Sequence, residues 1–244
     1  MGRWCDDRLG QLRARAGWPL RIKGRACRGN SQDVTSEALE RLIERHWSTY
    51  KGHINATSMA DTLRLLGSRP ATIVETGSSA WGPNSTVLWS NYVRLRGGSV
   101  WSVDIRVTPA RNLVNFVSSQ TTLVCDDSVA FLRWWASCHA KKSLDLVYLD
   151  SWDVAFSNPM PAAIHCLNEF FAIESHLKDG ALLLVDDTPG SADWIPTEFR
   201  EIALAFHAAH GVFPGKGMLV DLLLQKRPGV QKIHHRYQSL YQFA

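Results

Sequence analysis

Long apolar runs are missing from this 244-residue sequence. Without a stretch of about 18 apolar residues, no segment reads as a membrane span. The opening residues, MGRWCDDRLGQLRARAGW, lack the apolar core of a secretory leader. Cysteine is sparse and odd in number, at positions 5, 27, 125, 138 and 166, and no CxxC pair occurs. A disulfide framework and a zinc knuckle are therefore not signalled, and Cys125 and Cys166, in apolar stretches, read as small core residues. The GxGxxG dinucleotide fingerprint is absent too, as are internal repeats and low-complexity segments. What is present is ordinary for a globular chain: 45% hydrophobic and 20% charged residues exclude a disordered, collagen-like or coiled-coil protein. The expectation is a soluble, cytoplasmic protein built on one large domain.

The net charge of +4 is unevenly spread. Residues 1–30 hold eight Lys/Arg against Asp6 and Asp7, a local +6, so the rest of the chain is net negative. A solvated basic extension over residues 1–34, irregular or briefly helical, accounts for this without a nucleic-acid partner, because no nucleic-acid module and no second basic cluster accompany it.

Periodicity divides the remainder of the chain. Leu39, Leu42, Ile43 and Trp47 share one helical face, and Thr57 and Ser58 can cap a second helix that runs to Leu66 and ends at Gly67. These helices, over 35–70, are expected to form a lid or a subunit contact. From residue 71 to 244 strands alternate with helices. Strands are expected at Ala71–Thr76, Val100–Asp104, Thr121–Cys125, Leu144–Leu149 and Ala181–Val185. Helices are expected over about 84–96, from Thr108-Pro109 to about 119, and over 128–140, 159–177 and 194–210. Met218–Gln225 reads as a final strand, paired with the segment around Val212-Phe213. Such alternation implies a mostly parallel sheet covered on both faces, with ligands bound beyond the strand tips.

The tips are unusually polar. Glu75-Thr76-Gly77-Ser78-Ser79 begins a loop that reaches Gly82 and then Ser85-Thr86 at the next helix start, a backbone that can turn tightly against a ligand or form a plain turn. Asp104 closes its strand where a carboxylate can accept both ribose hydroxyls. Asp126-Asp127-Ser128 can meet an adenine amine, cap the following helix, or do both. Asp150-Ser151-Trp152-Asp153 and Asp186-Asp187 end two further strands. Four carboxylates there repel one another unless a cation or proton sits among them, and oxygen donors suit Mg²⁺.

In order and spacing, these motifs over residues 50–225 resemble a class I S-adenosylmethionine-dependent methyltransferase. The resemblance implies a Rossmann-like, doubly wound sheet of seven mostly parallel strands with an antiparallel last strand. It places the cofactor against Glu75, Gly77, Ser78, Ser79, Ser85, Thr86, Asp104, Asp127, Ser128, Asp150 and Trp152. LDLVYLDSWD followed by KDGALLLVDDTP resembles the metal-dependent O-methyltransferases of the catechol type, and implies Mg²⁺ on Asp150, Asp186 and Asp187. Where the catechol enzymes place a lysine base, this sequence has Asp153, which points to a sugar or natural-product hydroxyl as acceptor. A small-molecule hydroxyl acceptor and a second copy of the chain are the expected partners; membrane and nucleic acid are not.

The implied reaction is in-line methyl transfer to a hydroxyl activated by Mg²⁺ beside a base. Asp153 beside Asp150 is the first candidate base and His53 the second, with His139 and His165 as alternatives. Of the ten tryptophans, Trp152 and Trp194 follow acid-bearing tips and are placed near the pocket. Lys216, between Gly215 and Gly217, reads as a turn residue or a contact for an anionic group. The competing readings are a metal-independent N- or C-methyltransferase, a nonenzymatic cofactor-binding protein of the same fold, and a nicotinamide dehydrogenase, which the glycine spacing disfavours.

Overall fold

A computed structural model of the chain describes residues 20–24, 36–78 and 82–244. Among these residues, eight strands form one sheet: β1 (Leu20–Lys23), β2 (Ala71–Thr76), β3 (Gly98–Asp104), β4 (Thr121–Cys125), β5 (Leu144–Leu149), β6 (Leu177–Val185), β7 (Val230–His235) and β8 (Ser239–Phe243). Their order is β1-β4-β3-β2-β5-β6-β8-β7. The five central strands pair in parallel, and β1, β7 and β8 pair antiparallel.

The two-residue alternation of the strands builds both layers. Val74, Val147, Leu149, Leu183 and Val185 face one side, under α5 (Ser128–Cys138), α6 (Met160–Ile173) and α8 (Met218–Leu224). Ile73, Leu146, Tyr148, Leu182 and Leu184 face the other, under α1 (Ser36–Thr49), α2 (Ala56–Leu66) and α3 (Ser85–Arg96). Beside these layers, α4 (Val107–Leu113) packs on β4, and α7 (Arg200–His210) follows β6.

Several sequence expectations need correction. The sheet has eight strands rather than seven, because Leu20–Lys23, inside the basic segment expected to be irregular or helical, adds an edge strand to β4. Met218–Gln225 is not a strand: Met218, Val220, Asp221 and Leu224 are buried along one helical stripe, so α8 forms there. The antiparallel end of the sheet is instead the β7–β8 hairpin. The second helix has Asn55, not Thr57 or Ser58, at its N-cap. The helix near Thr108-Pro109 stops at Leu113, and that over 194–210 begins only at Arg200, after two single turns of 3₁₀ helix.

The direction of travel along the sheet reverses between β2 and β5. From β2 the chain steps outward through β3 to β4, then returns to β5 and proceeds through β6 the other way. The crevice beyond the C-terminal ends of these strands is the place where such sheets bind ligands.

Candidate active site

A cavity of about 490 Å³ opens at this reversal, and the tips of β2, β3, β5 and β6 all reach it. Its lining includes Gly77, Ser78 and Ser85 from the β2 side, Asp104, Asp127 and Ser128 beyond β3 and β4, and Asp150, Trp152, Asp153, Asp186 and Asp187 beyond β5 and β6. His53 lines it from the segment between α1 and α2. Glu75 and Thr86 do not. Ser79 lies outside the described residues, as does Trp81. Trp194, in the 3₁₀ turn Ala192–Trp194, is not among the lining residues.

Glu75 is fully buried and accepts hydroxyl hydrogen bonds from Ser85, Thr86 and Ser102, each at 2.5 Å. Burial pushes its carboxyl up to about 7 against the opposing pull of those three hydroxyls. It therefore braces the loop from inside. Gly77 takes φ +82°, and an added Cβ would meet the Asp150 carbonyl oxygen at 2.1 Å. Only glycine lets the β2 loop lie this close to the β5 tip. Asp104 accepts from the Ser78 backbone N–H at 3.2 Å and holds the Arg106 guanidinium at 3.0 and 3.1 Å. Asp127 caps α5 by accepting from the Ala130 N–H at 2.8 Å, and it also faces the cavity, so capping and ligand contact are compatible roles for it.

The acid cluster is the densest feature. One carboxylate oxygen from each of Asp150, Asp186 and Asp187 lies within 4.8 Å of the others. Trp152 and Asp187, next to the β5 and β6 tips, sit at φ +61° and +43°. Backbone strain of this kind is held in place by its surroundings and concentrates at functional sites. Around the acids stand donors that the sequence alone did not reveal. Tyr148 donates to Asp150 Oδ2 at 3.0 Å, Asn55 and Gln238 donate to Asp186 Oδ1 at 3.1 and 2.8 Å, and Tyr237 donates to Asp187. Lys216 is 1% exposed, and its Nζ lies 2.7 Å from Asp150 Oδ1 and 3.3 Å from Asp187 Oδ2. Burial opposes the Lys216 charge, yet the carboxylates of Asp150, Asp187 and Asp186 outweigh it and hold its pKa well above the usual value. Asp186 is pushed well up by burial and then by the charges of Asp150 and Asp187.

These residues fit a divalent cation. One carboxyl oxygen from each of three acids is gathered there, and oxygen donors are what Mg²⁺ takes. The Asn55 Oδ1 beside Asp186 is buried and unpartnered, a further oxygen of the right chemistry.

The candidate bases differ in readiness. The Asn55 backbone N–H donates to His53 Nδ1 at 3.2 Å, so in the neutral ring Nε2 carries the proton. Burial lowers the His53 pKa, against the raising effect of Asp150. Asp153 lines the cavity and is exposed. His165 hydrogen-bonds Ser128 at 2.9 Å and lies 5.2 Å from the Trp152 ring, while His139 stacks on Trp135 away from the cavity.

No protein-family model and no curated protein matches the chain. Solved structures do. MycE methyltransferase from the mycinamycin biosynthetic pathway, in complex with Mg, S-adenosylhomocysteine (SAH) and mycinamycin VI, aligns with TM-score 0.51 and 17% identity over 84% of this chain and 53% of its own. SAH-bound methyltransferase PaMTH1 of Podospora anserina aligns with TM-score 0.51 and 14% identity over 88% of this chain and 99% of its own. The fold is that of the S-adenosylmethionine-dependent methyltransferases. The chain spans about half the length of MycE. Within this methyltransferase fold, the described β1 adds an eighth strand to the seven expected from the resemblance. No helix among the described residues is long and apolar enough to cross a membrane.

Proposed function

We propose that the chain transfers a methyl group from S-adenosylmethionine to a hydroxyl of a small molecule, a sugar or other natural product, assisted by Mg²⁺. One observation carries this reading: Asp150, Asp186 and Asp187 converge in the same cavity that Gly77, Asp104 and Asp127 line. S-adenosylmethionine would supply an electrophilic methyl, and a divalent ion held by Asp150, Asp186 and Asp187 would lower the pKa of an acceptor hydroxyl.

The chain's own residues do the rest. The Gly77-Ser78 backbone, held against the β5 tip, cradles the methionine part of the cofactor. Asp104 exchanges its Arg106 partner for the ribose hydroxyls, while Asp127, Ser128 and Trp152 flank the adenine. Asp153 takes the hydroxyl proton. His53, which presents Nε2–H in its neutral tautomer, donates to an acceptor oxygen instead of removing a proton. Residues 35–70 act as a cover, a role supported by His53 and Asn55, which line the cavity from between α1 and α2.

The MycE complex, which contains Mg, SAH and a mycinamycin, supports this direction for the acceptor. A second reading, methyl transfer without metal to nitrogen or carbon, is favoured by one observation: Lys216 already supplies a positive charge to the acids. Turnover of methyl-labelled S-adenosylmethionine against a panel of glycosides and polyketides separates the two. Label in an O-methyl product, abolished by EDTA and restored by Mg²⁺, supports the first reading. EDTA-insensitive label on nitrogen or carbon supports the second.

A further inference from the structure

We propose that Lys216 is a resident cation of the acid cluster, seated there by the glycines on either side, and that it competes with a divalent ion for Asp150 and Asp187. The proposal rests on the cluster being a divalent-ion site.

The placement is built into the backbone. A Cβ on Gly215 would stand 2.4 Å from the Asp187 carbonyl oxygen, and one on Gly217 would stand 1.9 Å from Thr188 Oγ1. The chain can press this closely on the Asp186–Thr188 loop only because both positions are glycine. Between them, the Lys216 N–H donates to the Asp187 carbonyl at 2.9 Å, so the residue is pinned at the loop before its side chain begins. Directly after it, α8 is anchored in the core by Met218, Val220 and Leu224. A surface lysine near an acid swings into solvent at little cost. This one is enclosed, and leaving the carboxylates would strand a buried ammonium.

The ammonium sits on oxygens of two of the three proposed ligand residues. In the absence of a divalent ion it relieves the repulsion among the acids and keeps them gathered. When an ion binds, the same positive charge opposes it, and the two cations share or exchange the carboxylate oxygens. Lys216 is thus a positioning residue that trades metal affinity for a preformed site.

The test is Mn²⁺ binding to the full chain, read from the electron paramagnetic resonance signal of the free ion, with melting temperature measured in parallel. Wild type is compared with Lys216→Met, Lys216→Gln and Lys216→Arg. Removing the charge should tighten Mn²⁺ binding by about tenfold or more in the Met and Gln variants, and lower the melting temperature only when no ion is present. Lys216→Arg, which keeps the charge, should bind Mn²⁺ within about threefold of wild type. Equal or weaker binding in the Met and Gln variants overturns the proposal while leaving the metal site intact, as does equal tightening in the Arg variant. Failure of both neutral variants to fold even with Mn²⁺ also overturns it, since the ion then cannot replace the ammonium. Binding in Lys216→Met but not in wild type supports the proposal and removes the metal from the proposed reaction. Binding in neither removes both.

Discussion

Asn55 Nδ2 donates to Asp186 Oδ1 at 3.1 Å, tying the segment before α2 to the tip of β6 across 131 residues of sequence. Both residues are buried, and Gln238 donates to the same oxygen at 2.8 Å. The N-terminus of α2 is therefore tied to the acid cluster by a buried hydrogen bond. Asn55→Leu leaves Asp186 with one donor fewer in a buried site and should cost about 1–3 kcal/mol in urea unfolding. Addition of Mg²⁺ should recover part of that loss. A variant as stable as wild type would show that this bond does not hold the helices down.

Asp104 is the test of the cofactor side. Its carboxylate is occupied by Arg106 and the Ser78 N–H, the arrangement a ribose would enter by displacing the guanidinium. Asp104→Ala should weaken S-adenosylmethionine binding by about ten- to a hundredfold, the loss of hydrogen bonds to a charged acceptor, and leave Mn²⁺ binding at the acids unchanged. Calorimetry on the variant reads both. An unaltered cofactor affinity would take Asp104 out of the site.

Gly77 couples the two halves of the cavity. With φ +82° and the Asp150 carbonyl 2.1 Å from any added Cβ, Gly77→Ala must push the β2 and β5 tips apart. The expected result is a destabilisation of about 2 kcal/mol or more, with weaker binding of cofactor and divalent ion together. Weakening of only one of the two would contradict the coupling.

Glu75 gives a pH signature. Its carboxyl titrates at about 7 in the folded chain, raised by burial from an ordinary value of 4.5. Between these values the folded state binds the extra proton, so this stabilising contribution is complete below 4.5 and is lost as pH rises through 7. Glu75→Gln stays neutral throughout. Relative to wild type, its unfolding free energy should rise with pH across this window by on the order of 3 kcal/mol. A flat difference between the two proteins would show that Glu75 does not carry a raised pKa.

Much of this was legible in the sequence because the determining signals are local. The β2 and β5 strands coincide with their apolar runs, since both faces of those strands are buried and the pattern has no competing reading. The acids at the tips were visible for the same reason: a strand must end where its apolar run gives way to charge. Met218–Gln225 misled because a short apolar run fits a buried helix as well as a strand, and only α8's packing decides between them. That error hid the β7–β8 hairpin, and with it Tyr237 and Gln238, which reach the acids from its turn. Lys216 was visible as a lysine between glycines, but its purpose depends on how closely that backbone lies against Asp187 and Thr188, a distance no local pattern encodes.

The proposed reaction requires one cavity to hold S-adenosylmethionine beside a divalent ion on three acids. Calorimetric titration with S-adenosylmethionine and then Mg²⁺, on wild type and on Asp150→Ala, addresses this directly. The expected result is cofactor binding in both proteins and Mg²⁺ binding in wild type alone. Absence of cofactor binding in wild type would refute it.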